Sequence, residues 1–265
     1  MMGLLAGSKL ASQTLTLTSG SNLLMSEIFP GVEHVRRFNL RTDKAREVLD
    51  EAETLLGVLA VPQVIALQEH LLVGMLELLE QNLTTLGNIS RNVRAVNAHE
   101  AIQSATGGRF STDSLDLFHL VRLARNTHIH NGAKASPALV NAVASTDARA
   151  LEVWETITKT SLPAYQVGDE VRLGLSELIG ILAVTKRLAE EANRLLQRAL
   201  PRSTWADIAV LDWLDNRTPG NASQQSRQLL GISRRHYGPL SLTKVELEAA
   251  KTRTGVTQNK EELTS

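Results

Sequence analysis

Arg125-Asn126-Thr127-His128-Ile129-His130 places a guanidinium, a side-chain amide and two imidazoles within six consecutive residues. Such groups handle phosphate. Arginine is always charged, and its planar fork of donors matches phosphate oxygens. Histidine is the side chain that changes charge near neutrality, so it serves as general acid or base. Arg125 is therefore the candidate phosphate and transition-state ligand, and His130 the candidate base or acid. Asn126 stands one helical turn before His130, where it either orients the imidazole or binds phosphate.

The stretch closes a helix expected to start at Thr112 or Asp113 and to stop at Asn131-Gly132. At about 100° per residue, Leu117, Leu120, Val121, Ala124 and His128 form one stripe, and Arg122, Asn126 and His130 the opposite one. Arg125 flanks the two, and its long side chain reaches round. His130 thus belongs to a polar face, and His128 is expected as a hydrogen-bonded core histidine. The two imidazoles diverge by about 200°, too far to chelate one metal, so no metal site is expected. The plain alternative for Arg125, Asn126 and His130 is a solvated helix end that favours a cation. Arg94 with His99 and Arg122 with His128 have similar spacings, but Ala95 and Leu123 follow those arginines where Asn126 follows Arg125.

The Arg-Asn-x-x-x-His pattern, its flank Leu123-Ala124 and its ending His130-Asn131-Gly132 resemble HEPN domains, an all-α family that includes many metal-independent ribonucleases. The resemblance implies an all-α, HEPN-like bundle of roughly four to five core helices with a helical or irregular C-terminal extension. It implies RNA as substrate, no cofactor, and a homodimer whose two motif copies line one composite active site. The implied reaction is attack by the 2′-OH, leaving 2′,3′-cyclic phosphate and 5′-OH ends. A role in toxin–antitoxin pairs or antiviral defence, with an antitoxin or defence complex as partner, follows from the same resemblance. Toxin members of the family carry a tyrosine two positions after the histidine. Here that position is Gly132, so control by modification of that tyrosine is not expected. The alternatives are a non-catalytic HEPN-like module that binds RNA, nucleotide or protein, and a structural helical adaptor.

Composition narrows the classes. The formal net charge is zero, so a nucleic-acid contact must come from a local patch. Aromatic residues make up only 3% of the chain, which argues against a base-stacking sheet. The absence of cysteine excludes disulfides, thiolate zinc sites, iron–sulfur clusters and a cysteine nucleophile, and fits a reducing cytoplasm. Residues 1–22 carry Lys9 as their one cation and lack a clear apolar core, so no signal peptide is read. The most apolar run, 64–79, is interrupted by Gln68, Glu69, His70 and Glu77. It is expected as a buried helix and not as a membrane span.

The elements that must position the motif follow from periodicity. Residues 1–40 are expected as a flexible arm, 41–200 as the helical domain, and 201–265 as an extension with a basic segment and a frayed tail. A helix starts near Thr42 or Asp43, with Ala45, Val48, Leu49, Ala52, Leu55, Leu56 and Leu59 on one face. Pro62 is expected to open the next helix, apolar nearly all round through Leu86 and ended by Gly87-Asn88. A weaker helix over 90–104, one after Pro137, a long amphipathic one over 176–199 stopped by Pro201, and one over 205–214 complete the set. Residues 151–167 alternate β-branched side chains and leave a strand or hairpin open. Between Asp215 and Glu246 there is no acid, but there are Arg217, Arg227, Arg234, Arg235 and Lys244. Arg122, Arg234 and Arg235 are candidate RNA contacts, with a solvated surface equally open for the Arg234-Arg235-His236-Tyr237 cluster.

Overall fold

The computed structural model describes residues 2–21, 23–38, 40–83 and 89–255. In chain order these form α1 (Met2–Thr16), α2 (Met25–Ile28), α3 (Val35–Phe38), α4 (Thr42–Asn82), α5 (Ala98–Thr106), α6 (Thr112–His130), α7 (Pro137–Ala144), α8 (Ala148–Thr158), α9 (Leu175–Ala199), α10 (Arg202–Asn216), α11 (Ala222–His236) and α12 (Lys244–Arg253). Short 3₁₀ turns cover Ser90–Asn92 and Gly238–Leu240. Among the described residues there is no strand, only the isolated bridges Leu24↔Arg41 and Lys134↔Glu170. The described residues are thus all-α, as expected.

The chain divides into two compact units, and neither is a continuous segment. One comprises Met1–Leu71 with Phe110–Glu190; the other comprises Leu72–Arg109 with Glu191–Ser265. These boundaries do not follow the expected breaks near residues 40 and 200.

In the first unit α6 packs against α7 and α8. Leu117, Phe118, Leu120, Val121 and Ala124 are its buried face. α8 turns Ala150, Trp154 and Thr158 inward at every fourth position, which is a helical period and settles the ambiguity of 151–167 as far as Thr158. Trp154 lies over Gly180 of α9, where a side chain would collide with the indole ring. Gly57 of α4 is equally constrained, because a Cβ there would strike the Leu173 carbonyl.

Two further expectations are corrected. Met2–Thr16 is helical, where the lack of a strong period over residues 1–40 suggested a loose arm; Leu15 at its end is buried. Pro62 lies inside α4 instead of opening a new helix. Proline removes a donor and crowds the preceding turn, but buried Ala60, Val61 and Ile65 on either side of it anchor the helix through the break. Nor is α4 buried all round: Leu55, Leu59, Leu67 and Leu71 are exposed. Among the described helices α4 alone is long and apolar enough to cross a membrane, and 33% of its apolar window is buried. The expected helix end at Leu86 and Gly87-Asn88, and the tail beyond Gly255, lie outside the described residues.

In the second unit, α10 packs on α11 and α12 around buried Trp205, Val210 and Trp213. Of the helical or irregular extension expected here, the described part is helical over most of its length. α11 and α12 each begin with a capping box, Asn221 with Gln224 and Thr243 with Glu246, a signal present in the sequence.

Candidate functional site

α6 carries the motif, and its two ends are fixed differently. Near its start the buried Asp113 carboxylate meets the Arg187 guanidinium of α9 at 3.4 Å. At its finish Asn131 closes the helix, and Gly132 and Ala133 take left-handed backbone angles, φ +56° and +61°. Left-handed angles let the chain reverse, and glycine adopts them without steric cost. The reversed chain is then pinned: Ala135 N donates to Asp169 O at 2.8 Å, Gly168 N to Ala135 O at 2.9 Å and Val171 N to Ala133 O at 2.8 Å. The histidine end of α6 is thus held by the segment that precedes α9.

His130 is exposed, in the last helical position. Among the described residues no hydrogen bond or ion pair engages it. Asn126, one turn earlier, is half-buried. Its Oδ1 accepts from Arg125 Nη1 at 2.9 Å. Asn126 therefore engages the arginine and not the imidazole. The bond draws the guanidinium toward the stripe that Asn126 and His130 share. Arg125 itself is half-buried, and its Nε is sealed from solvent without a partner. A buried donor left unpaired costs roughly 1–3 kcal/mol.

His128 departs from its expected role. It is half-buried, and its Nε2 is sealed without a hydrogen bond. The fully buried residue of the motif is instead Thr127, whose hydroxyl donates to Leu123 O at 3.0 Å. Arg122 is half-buried and its Nε donates to His119 Nδ1 at 3.3 Å. His119 was not among the sequence candidates; its spacing of three residues before Arg122 on one helix was the available signal.

Arg234 and Arg235 belong to the second unit, exposed in the last turn of α11. Cations at a helix C-terminus are favoured by the dipole, which accounts for their clustering without a ligand. Arg234 lines a cavity of about 370 Å³ with Ser233, Tyr237, Gly238, Ser241 and Leu242. The Tyr237 hydroxyl meets Asp212 Oδ2 at 3.3 Å. Burial first, then the Asp212 charge, pushes that phenol up to about 12. Among the described residues no group of three His, Asp or Glu side chains is placed to hold a metal.

What the motif can do chemically is present one cation-bearing arginine, steered by an amide, and one free imidazole at the end of the same helix. Comparison with protein-family models, with curated proteins and with solved structures finds no match for this chain.

Proposed function

We propose that the chain is a metal-independent endoribonuclease of HEPN type, with Arg125 and His130 at its reacting centre and Asn126 positioning the arginine. The observation that carries the reading is the Arg125–Asn126 hydrogen bond at 2.9 Å, one turn before an exposed, unengaged His130. His130 takes the proton of a ribose 2′-OH. The freed oxygen attacks the adjacent phosphorus, and the bond to the 5′-oxygen breaks. A second imidazole returns a proton to that leaving oxygen. Arg125 stabilises the charge that builds on the phosphoryl oxygens. The products are a 2′,3′-cyclic phosphate and a 5′-OH end, and DNA, lacking the nucleophile, survives.

A lone motif on a convex helix end makes no enclosing pocket. The reading therefore takes two copies of the chain, whose histidines divide the base and acid roles across a two-fold axis. A four-to-five-helix HEPN-like bundle, a toxin or antiviral role, a cytoplasmic location and a regulating antitoxin or defence partner belong to the same proposal.

One observation favours a second reading. The sealed Arg125 Nε withholds one edge of the fork from phosphate, as suits a non-catalytic HEPN-like module that binds RNA, nucleotide or protein. RNA cleavage in EDTA by wild type, Arg125→Ala and His130→Ala separates the two. Cyclic-phosphate ends from wild type alone support the nuclease. RNA retained but uncut by all three supports the binding module.

A further inference from the structure

Asn131 is the one asparagine in the chain that is followed by glycine. It caps α6 directly after His130, with φ −119° and ψ 20°. Asn131 and Gly132 are both exposed. Among the described residues nothing hydrogen-bonds the Asn131 side-chain amide or the Gly132 N–H. The space beside Gly132 is open, and a Cβ there would meet nothing within 4 Å. The turn after the motif thus holds an unengaged amide and, next to it in the chain, a backbone nitrogen that no side chain shields.

We infer that Asn131 is a self-modification site, where the chain converts its own amide into a carboxylate beside the motif. Gly132 N gives up its proton and attacks Asn131 Cγ. The bond from Cγ to the side-chain nitrogen breaks, and that nitrogen leaves as ammonia with the proton. A five-membered cyclic imide remains. Water opens it at either carbonyl, leaving aspartate or isoaspartate. Water is the one co-reactant. Glycine matters because a Cβ on the following residue crowds the attacking nitrogen.

The helix end sets the rate. Attack requires Asn131 to leave ψ 20°, so that its Cγ meets the Gly132 nitrogen. That rotation breaks the bond from Lys134 N to Asn131 O at 3.0 Å. Fraying helix ends open at little cost, and Gly132, at φ +56°, follows the rotation without a steric penalty. Asn126 is the contrast within the motif. Its Oδ1 is engaged by Arg125, and buried Thr127 follows it inside the helix. The product sets a negative charge next to His130, at a helix C-terminus where the dipole disfavours it. An incoming phosphate is repelled there. That consequence for RNA rests on the ribonuclease reading; the modification itself does not.

Full-length protein is incubated at neutral and at mildly alkaline pH, native and in urea, and digested with trypsin at intervals. Cleavage after Arg125 and Lys134 releases the peptide 126–134, which carries both Asn126 and Asn131. Mass spectrometry with fragmentation reads the change from amide to acid at each. The expected result is conversion at Asn131 and none at Asn126 in the native protein, faster at the higher pH. Its rate should lie within about tenfold of the rate in urea, because a helix end opens readily. Gly132→Ala keeps Asn131 but should slow conversion more than about tenfold, through the methyl group it sets beside the nitrogen. The comparison in urea holds whether or not that variant folds. Asn131→Asp, which carries the product's charge, should cut RNA about threefold more slowly than wild type, the weight of one solvent-exposed charge. Asn131 left intact in the native protein when the chain in urea has converted, or equal conversion in Gly132→Ala, overturns the site. Asn131→Asp cutting as fast as wild type overturns its effect on the motif. Wild type that cuts no RNA removes the ribonuclease reading, while the mass spectra still decide the modification.

Discussion

His130 and Arg125 differ in what they cost the fold, and that difference makes them separable by mutation. His130 is exposed and engages no described neighbour. His130→Ala should therefore move stability by less than about 0.5 kcal/mol, the usual range for surface changes, while abolishing the RNA cleavage proposed above. Arg125 has one hydrogen bond, to Asn126, and one sealed, unpaired nitrogen. Its removal loses the first and relieves the second, so Arg125→Ala should leave the unfolding midpoint close to wild type. A large drop in midpoint would mark Arg125 as a structural residue and weaken its catalytic role. Asn126→Ala tests positioning by itself. With the guanidinium no longer steered, turnover should fall about tenfold, the worth of about 1.4 kcal/mol of lost preorganisation, without vanishing. Asn126→Asp, which retains the acceptor, should recover most of it. The motif was legible in the sequence because its residue types and helix-end location are local properties. The Arg125–Asn126 bond was not, since side-chain direction around a helix depends on what packs beside it.

At the scale of elements, α6 and α9 were legible because their periods and stops agree, and α7 because Pro137 opens it. Leu117, Leu120, Val121 and Ala124 are buried as expected, and Gly132 takes the left-handed turn its position demanded. α8 was obscured by its β-branched residues, although Ala150, Trp154 and Thr158 keep a helical spacing. Trp154 is almost wholly enclosed and rests on Gly180. Trp154→Ala leaves a ring-sized void and should cost about 3–5 kcal/mol, read from the shift of a denaturant midpoint; a shift under about 1 kcal/mol would mean the void collapses or the contact is not formed. The α10–α12 pairing could not be read at all, because it depends on partners far apart in sequence. Arg202 grips Glu246 through Nε–Oε1 at 2.7 Å and Nη2–Oε2 at 3.0 Å, and Arg253 grips Asp207 at 2.7 Å. Arg202 first, then the Thr243 backbone and hydroxyl, hold the Glu246 carboxyl at about 2, below its ordinary 4.5. A depressed folded value contributes stability above the unfolded value and loses it as pH falls through the folded one. The clamp should thus be complete above about 4.5 and gone near 2. Hydrogen exchange of α12 across that window should show protection falling in wild type. In Glu246→Gln protection should already be low at neutral pH, and an unchanged profile would show that the clamp does not hold α12.

At the scale of the whole molecule, the chain's division was hidden because each unit is assembled from separated segments, and no local pattern announces such an exchange. Pairing of copies is where the proposed chemistry makes its most distinctive demand. If two histidines divide one reaction, each productive site needs two intact chains. If one chain suffices, each acts alone. Mixing purified wild type with His130→Ala in varied proportion, unfolded and refolded together or equilibrated under dissociating dilution, distinguishes these cases by arithmetic. At equal amounts and fixed total protein, independent chains retain about half the wild-type rate, whereas a shared site retains about a quarter, because only wild-type pairs react. His130→Ala alters a single exposed side chain, so it should enter mixed pairs as readily as wild type. The measured quantity is RNA cleavage against the fraction of wild-type chain. A line through the origin would assign catalysis to single chains and remove the composite site. A quadratic curve would require the paired one.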